Sequence, residues 1–360
     1  MKVKLGELTK IRTGKLDANA ASENGKYPFF TCSKEPLRIS TYSYDCECVL
    51  VAGNGDLNVK YYNGKFDAYQ RTYIIESNSN GRLHLPYLYY FMTRYIQDLR
   101  RLSIGGVIKY IKLGNLTDAE ISLPDIEEQK VACKKLEKVK NIIDKKESQL
   151  FYLDNLIKAR FVEMFGGIDL APQNKEWTKI SDIGEVVSGS TPKTSIKEYW
   201  NGNICWITPA ELSNMSGIIY DSKKKITERG KSSCSLRMMP SRTVILSSRA
   251  PIGKVALLGK EMCCNQGFKN IICNEKVAPE YLYYLLGYNT IFLNSLGRGA
   301  TFKEISKKIV GEIKVPLPAK ELQNQFAVFT RQVDKSKFAV QKSLEKTQLL
   351  FDSLMQEYFG

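Results

Sequence analysis

The chain contains an internal repeat: residues 105–166 align with residues 299–360 without a gap. Gly105 lies over Gly299 and Gly166 over Gly360, so each position in the segment is displaced by 194 residues. Upstream, a Tyr-Leu-Tyr-Tyr run at 87–90 lies over the same run at 281–284. A chain of 360 residues is long enough for two domains with cores of their own. The duplication therefore predicts two units built to one plan.

The chain is strongly basic, with 53 Lys and Arg against 38 Asp and Glu and a formal net charge of +15. Such an excess suits a polyanionic partner, although charge alone leaves a merely solubilising surface equally open. The nine cysteines form no CxxC pair, which is typical of reduced, mostly buried thiols. Neither a secretory signal nor a run of about 20 apolar residues occurs. We expect a cytoplasmic protein without membrane contact.

Each repeat opens with short β-favouring runs broken by turn residues and closes with prolines followed by a long, uninterrupted helical pattern. The predicted boundaries are 1–123 and 167–317 for the globular domains, and 124–166 and 318–360 for the helices. This pattern predicts an α+β fold. Two globular mixed α/β domains are separated by two long helices that pair as an antiparallel coiled coil, and the internal duplication gives pseudo-two-fold symmetry.

Both helices carry an apolar stripe at spacings of three and four residues. Two helices cannot cover every apolar face, and Ile142 and Leu156 lie off the stripe, so we expect partner subunits on these helices. The residues predicted to form the partner-docking helices are Leu136, Val139, Ile143, Leu150, Leu153, Ile157, Phe326, Phe329, Val333, Val340, Leu344, Phe351 and Leu354.

Motifs that resemble catalytic sites have simpler structural interpretations. Asp125 and Glu128 carry letters of a metal-dependent nuclease site, but both fall in one helical turn, where they predict a capping box. Gly53-Asn54-Gly55 lacks the third glycine of a dinucleotide site. His84 is the only histidine of the sequence, and it precedes a Tyr-rich helix. Neither a phosphate-binding loop nor the segment typical of amino-methyltransferases occurs. We expect no catalytic residues, no metal and no cofactor in this chain.

Motifs in the second repeat resemble those of DNA-specificity subunits of type I restriction-modification systems. They include Gly189-Ser190-Thr191-Pro192, Trp206-Ile207-Thr208-Pro209, the segment 246–253 (LSSRAPIG), Asn265-Gln266-Gly267 and Gly299-Ala300-Thr301. The run IKVPLP at 313–318, which leads into Gln323 and Gln325, completes the set. Each motif is weak alone, but their order before a long helix is specific, and the resemblance covers the whole chain.

The resemblance implies that 1–123 and 167–317 are target recognition domains, each reading half of a split double-stranded DNA site. The helical spacers at 124–166 and 318–360 would dock two methyltransferase subunits. Those subunits would methylate adenine with S-adenosylmethionine, and added restriction and translocase subunits would use ATP with Mg²⁺. Two other classes stay open from the residues alone: an autonomous DNA-modifying or DNA-cleaving enzyme, and a coiled-coil scaffold for acidic partners.

The first repeat departs from these motifs where DNA contact is expected. It has Gly14-Lys15 in place of a Gly-Ser-Thr-Pro run, and Asn54-Gly55 in place of Arg249-Ala250. Gly14 and Gly189 are displaced by 175 rather than 194 residues, so the second domain carries 19 more residues. We therefore predict an asymmetric site with two different half-sites.

Residue chemistry suggests which side chains contact DNA: Lys and Tyr suit phosphates, whereas Arg, Gln and Asn suit base edges. For the first domain the candidates are Arg38, Tyr42, Asn54, Asn58, Lys60, Tyr69, Gln70, Arg71, Lys109 and Tyr110. For the second they are Lys193, Lys197, Trp206, Thr208, Ser248, Arg249, Lys254, Asn265, Gln266, Lys269, Arg298, Thr301 and Lys303.

Overall fold

A computed structural model of the chain describes residues 2–78, 81–167, 169–171, 173–174, 176–249, 251–299 and 303–360. Within these ranges, none of the helices is long and apolar enough to span a membrane. The chain divides into two compact units, and each of them combines residues from both repeats. Unit 1 comprises residues 1–149 and 340–360, and unit 2 comprises residues 150–339.

The first repeat, residues 1–166, contains eight strands and four α-helices among its described residues. The strands are β1 (Lys2–Lys4), β2 (Thr9–Thr13), β3 (Tyr27–Phe30), β4 (Leu37–Ile39), β5 (Tyr44–Ala52), β6 (Val59–Ala68), β7 (Thr72–Ser77) and β8 (Glu120–Ser122). The helices are α1 (Leu5–Leu8), α2 (Leu85–Leu102), α3 (Leu113–Thr117) and α4 (Ile126–Phe165). Six strands form one sheet in the order β2-β7-β5-β6-β3-β4, and β1 pairs with β8.

The second repeat, residues 167–360, contains ten strands and six α-helices in the part that the structure describes. The strands are β9 (Thr178–Lys179), β10 (Gly184–Ser188), β11 (Trp200–Ile207), β12 (Met215–Ile219), β13 (Lys224–Ile226), β14 (Val244–Ser247), β15 (Val255–Leu258), β16 (Cys263–Cys264), β17 (Phe268–Cys273) and β18 (Lys314–Val315). The helices are α5 (Ile180–Ile183), α6 (Glu228–Ser233), α7 (Pro279–Tyr288), α8 (Thr290–Ser295), α9 (Lys307–Glu312) and α10 (Lys320–Phe359). The sheets are β10-β17-β14-β15-β12 and β13-β11-β16, with a separate β9-β18 pair.

The Tyr-rich helices are α2 and α7. Each is anchored by a buried glutamine at the start of the long helix that follows it. Gln129 Nε2 donates to the carbonyls of Arg82 and Pro124 at 2.8 and 3.0 Å, and its Oε1 accepts from the His84 N–H at 2.9 Å. Gln323 makes the corresponding bonds with Lys276, Pro318 and Ala278 at 3.2, 2.8 and 2.7 Å. Every partner is displaced by the same 194 residues, so the duplication extends to individual hydrogen bonds.

The capping interpretation of Asp125 also agrees with the structure. Its Oδ1 accepts from the Glu128 N–H at 2.9 Å, directly before the first residue of α4. This bond satisfies one of the amide groups that a helix start leaves without an intrahelical partner. Asp125 therefore caps a helix.

In unit 1, the beginning of α4 packs against the end of α10. The Tyr87 ring of α2 lies 4.8 Å from the Phe359 ring, and Lys146 Nζ donates to Ser343 Oγ at 2.5 Å. Cys133 belongs to the core that Tyr358 and Phe359 cover. Residues later in α4 thus contact residues earlier in α10, so these two segments run antiparallel.

In unit 2, the end of α4 packs against the beginning of α10 in the same way. Phe165 lies 4.7 Å from Tyr281 of α7, and Phe161 lies 5.3 Å from Phe326. Further along, Lys337 pairs with Asp154 at 2.5 Å. Phe165 and Phe359 are equivalent residues of the duplication, and each packs on the Tyr-rich helix of the other repeat. Each unit is therefore completed by a helix end that the other repeat supplies.

The thirteen residues predicted for the docking helices are all buried or half-buried. Leu136, Val139 and Ile143 are buried in unit 1, and Ile157 and Phe326 are buried in unit 2. Ile157, Phe326 and Val333 belong to the hydrophobic core of unit 2, and Leu153 and Phe329 pack against it. The exposed apolar side chains of α4 and α10 are a different set: Val131, Ile142, Phe151, Tyr152, Leu156, Val162, Val328, Phe338, Leu349 and Leu350.

Candidate nucleic-acid interface

Loops of the first domain converge through backbone hydrogen bonds into one surface, which we call the first loop cluster (residues 14–16, 30–33, 53–60, 69–71 and 104–111). The Gly53 N–H donates to the Arg71 carbonyl at 2.8 Å, and the Ile111 N–H donates to the Gly53 carbonyl at 2.9 Å. The Tyr69 N–H bonds the Phe30 carbonyl at 3.0 Å. Segments far apart in sequence are thus fixed side by side.

The second domain builds a corresponding surface, the second loop cluster (residues 189–191, 207–208, 247–249, 264–268, 298–299 and 303–305). The Ser248 N–H donates to the Gly267 carbonyl at 2.7 Å, and the Ile305 N–H donates to the Ser248 carbonyl at 3.0 Å. The Asn265 N–H bonds the Ile207 carbonyl at 2.9 Å. These are the same three bonds as in the first loop cluster, so the two surfaces share a backbone frame.

On this shared frame the side chains differ. Asn54 faces Tyr110 in the first cluster, and Arg249 faces Glu304 at the equivalent bridge of the second. The same alignment places Tyr69 over Asn265, whereas Gln70 and Gln266 are identical. An amide, a phenol, a guanidinium and a carboxylate form different hydrogen-bond patterns with base edges. The two surfaces therefore share a backbone frame but present different side-chain hydrogen-bonding groups.

A glycine is required at the same point of both frames. A Cβ atom on Gly14 would lie 2.1 Å from the Ala68 carbonyl oxygen, and one on Gly189 would lie 2.0 Å from the Asn265 carbonyl oxygen. No side chain fits against backbone at that distance. The glycine that opens each domain is therefore needed for close packing of two loops.

Most of the extra residues of the second domain lie in one place. Phe30 and Gly53 are 23 positions apart, whereas their equivalents Ile207 and Ser248 are 41 apart. The added length contains β12, β13 and α6. The insertion thus enlarges the second domain between two loops of its cluster and leaves the shared frame intact.

Six of the candidates in the first domain carry free functional groups on the first loop cluster. They are half-buried or exposed, and their side chains form no hydrogen bond or ion pair with described residues: Asn54, Tyr69, Gln70, Arg71, Lys109 and Tyr110. These groups are available to a ligand. Arg38 and Tyr42 lie elsewhere, where Arg38 bonds the Lys26 carbonyl at 3.4 Å and the Tyr42 ring packs 4.9 Å from Tyr27.

Asn58 and Lys60 belong to the first loop cluster but bind its own backbone. Asn58 Nδ2 donates to the Cys32 carbonyl at 2.8 Å, and Lys60 Nζ donates to the Ser33 carbonyl at 2.7 Å. Burial also holds the pKa of Lys60 below its usual value. These two side chains fix the 30–33 loop.

The second domain shows the same division among its candidates. Arg249 is half-buried and Lys193, Lys197, Gln266, Arg298 and Lys303 are exposed. Lys254 Nζ instead donates to the carbonyls of Pro209 and Leu212 at 3.2 and 2.6 Å, and Thr208 bonds Glu211 at 2.9 Å. Asn265 Nδ2 donates to Thr191 Oγ1 at 2.8 Å. Thr301 lies outside the described residues.

Three candidates of the second domain are buried, which corrects their sequence-based assignment as DNA contacts. Trp206 packs in a core cluster, and its indole N–H donates to the Ser190 carbonyl at 3.0 Å. Lys269 is buried and pairs with Glu304 at 3.1 Å and with the hydroxyl of buried Ser248 at 3.3 Å. The polar groups of all three side chains are bonded within the domain, so these residues hold the loops in place and do not face a ligand.

A cationic cavity of about 820 Å³ adjoins the second loop cluster. Lys269, Arg298, Lys307 and Lys308 line it together with Glu304 and Glu312. Four cations against two anions leave a positive surface, which suits a phosphate backbone. Sequence patterns missed Lys307 and Lys308 because surface lysines are common. Across the described residues, no three His, Cys, Asp or Glu side chains group closely enough to hold a metal ion.

The two loop clusters together define a duplicated protein whose two loop surfaces share one backbone frame and differ in their side chains. A family model, the type I restriction modification DNA specificity domain, matches residues 1–150 and 172–349. The match covers most of the chain. The chain therefore belongs to the family of type I restriction-modification DNA specificity subunits, as its motifs predicted.

Individual relatives agree with this family. The chain is 44% identical to the MjaIX specificity subunit of Methanocaldococcus jannaschii over 48% of its own length and 41% of that relative. It is 27% identical to the EcoDI specificity subunit of Escherichia coli over 96% of its length and 82% of that relative. A solved structure of the M. genitalium type I S subunit has the same fold, with a TM-score of 0.69 at 17% identity, covering all of this chain and 96% of that one.

Proposed function

We propose that this chain reads an asymmetric, two-part DNA sequence, with one half-site bound by each loop cluster. The observation that carries the proposal is the shared backbone frame with different side chains at equivalent positions, such as Asn54 and Arg249. A frame repeated in two domains suits one ligand class, and unlike side chains suit unlike base sequences. The net charge of +15 favours a polyanionic ligand.

Particular residues have particular proposed roles. Arg249, Gln266, Asn54, Gln70 and Arg71 contact base edges, because their side chains are half-buried or exposed on the loop clusters. The exposed lysines and the tyrosine hydroxyls contact phosphates. Lys307 and Lys308 join this second group through the cationic cavity.

The helices α4 and α10 serve as the platform for two methyltransferase subunits. We propose that they form one antiparallel coiled coil with pseudo-two-fold symmetry, extending the local antiparallel packing of each unit. Two identical partners then contact equivalent surfaces. Leu156 and Leu350 fit this role, because they are equivalent in the duplication and 48% and 51% exposed. S-adenosylmethionine would be bound by the methyltransferases, and ATP with Mg²⁺ by restriction subunits, in a complex that acts on DNA in the cytoplasm.

The half-site proposal is tested by exchanging residues 1–122 for those of a relative and mapping methylated adenines in cells that express the methyltransferase. One half of the methylated sequence should change and the other should stay. The reciprocal exchange of the second domain serves as the control and should change the other half. Simultaneous change of both halves in either exchange contradicts independent reading.

The docking proposal is tested with Leu156→Asp and Leu350→Asp, separately and together. A carboxylate in an apolar interface is poorly tolerated, so each single variant should retain one methyltransferase subunit and the double variant none. The mass of the purified complex gives the readout. Loss of both subunits from either single variant would contradict two equivalent docking sites.

The two other classes make different predictions. An autonomous enzyme would cleave or methylate duplex DNA when the purified chain is incubated with Mg²⁺ and S-adenosylmethionine, and we expect neither reaction. A scaffold for acidic proteins would not retard duplex DNA, whereas we expect retardation that weakens steeply as salt rises.

A further inference from the structure

The first loop cluster carries an apolar tip that the proposed contacts do not explain. Residues 104–110 form a hairpin in which Ile104 and Tyr110 exchange backbone hydrogen bonds of 3.0 and 2.8 Å. Gly105 has φ +117°, and a Cβ atom there would lie 2.5 Å from the Ile108 carbonyl oxygen. At the tip, Val107 is 104% exposed and Ile108 is 62% exposed. Two β-branched apolar side chains thus project into solvent.

The hairpin is fixed to the candidate reading residues. The Gly55 N–H donates to the Lys109 carbonyl at 3.0 Å, and Asn54 forms a bridge with Tyr110. Lys109 and Lys112 are exposed beside the tip. The tip therefore emerges between unpaired polar groups and cations, and a ligand that contacts Asn54 and Lys109 also meets Val107.

This setting favours DNA over a protein as the occupant. A stable protein interface buries on the order of 1,000 Å² or more, which two side chains between cations do not supply. Base edges in the major groove offer one apolar group, the C5-methyl of thymine. Resting on the proposed function, we propose that Val107 and Ile108 read a thymine methyl group within the half-site of the first domain.

The test uses the target sequence and the complex from the methylation mapping. Each thymine of the first half-site is replaced in turn by deoxyuridine, which removes only the methyl group. At one position or more, the wild-type complex should bind about fourfold less tightly for each buried methyl that is lost. The double variant Val107→Ser with Ile108→Ser should bind the thymine duplex more weakly and no longer distinguish thymine from deoxyuridine there.

Two control variants separate the role of the tip from other effects. Val107→Ile keeps an apolar tip and should retain the preference for thymine. Leu113→Ser removes an exposed apolar side chain just beyond the hairpin and should also retain it. Because both side chains are exposed, the double variant should unfold close to the wild-type temperature.

Several results would overturn the proposal. They are a first half-site without thymine, insensitivity of every thymine to removal of its methyl group, and an undiminished thymine preference in the double variant. Loss of methyltransferase subunits from the double variant, with thymine preference unchanged, would identify the tip as a protein contact. Failure of the half-site exchange would instead refute the proposed function, so the two failures are distinguishable.

Discussion

Replacing Gln129 or Gln323 by methionine should destabilise one unit at a time. Each side chain is fully buried and makes three hydrogen bonds to backbone groups. Methionine has a similar length but cannot form them, and two carbonyls and one N–H would lose their partner. At about 1 kcal/mol for each bond, with extra cost for groups left buried, the free energy of unfolding should fall by about 3 kcal/mol.

The assay separates the two units by their chromophores. All three tryptophans, Trp177, Trp200 and Trp206, belong to unit 2, so tryptophan fluorescence follows that unit, whereas circular dichroism follows both. In urea, Gln323→Met should shift the fluorescence transition to lower concentration. Gln129→Met should shift a part of the circular dichroism transition and leave the fluorescence transition in place.

The matched control is Gln325→Met, which changes an exposed glutamine on the same helix turn. Its free energy of unfolding should stay within about 0.5 kcal/mol of wild type. If Gln323→Met is no more destabilising than Gln325→Met, the buried amide contributes nothing net, and the argument from its three bonds is refuted.

Three further predictions follow from the same contacts. Phe359→Ala removes the ring that packs 4.8 Å from Tyr87 and should lower the stability of unit 1 by about 2 kcal/mol in urea unfolding, whereas Leu349→Ala, at an exposed position, should change it little. Burial holds the pKa of His84 below its ordinary value of 6.5. The contribution of His84 to stability is therefore complete above pH 6.5 and falls as the pH decreases through the folded-state pKa. The difference in stability between wild type and His84→Gln should shrink or reverse as the pH is lowered from 6.5 through that pKa. Residues 1–166 alone lack the 340–360 segment of unit 1 but contain its equivalent, 146–166, so this fragment should sediment as a dimer, and a stable folded monomer would contradict the exchange of helix ends.

Periodicity and repetition were sufficient to predict the long helices. The predicted spacers at 124–166 and 318–360 contain helices at Ile126–Phe165 and Lys320–Phe359, because uninterrupted apolar spacing of three and four residues leaves few alternatives. The sequence also indicated the cap at Asp125, which is a local interaction. Features that depend on neighbouring residues along the chain could therefore be predicted from the sequence.

The candidate nucleic-acid interface was predicted less well, since exposure depends on distant segments. Trp206 and Lys269 have residue types typical of nucleic-acid contacts, yet β-sheet packing buries both. Asn58 and Asn54 are four residues apart, and only the placement of the 30–33 loop makes one a loop support and leaves the other free. The sequence gives no signal that Val107 is exposed, because apolar residue types are most often buried.

Exchange of helix ends between the repeats explains why the two parts of the chain diverged to different degrees. Phe359 packs on Tyr87 and Phe165 packs on Tyr281, so a change in the length of either helix would misplace an end in the other repeat's unit. The 41-residue separation of Ile207 and Ser248, against 23 in the first domain, has no such consequence, because the inserted strands lie between two loops whose frame stays closed. The constant displacement of 194 residues therefore marks the segments that must fit both repeats, and its loss marks the segments that each domain can vary alone.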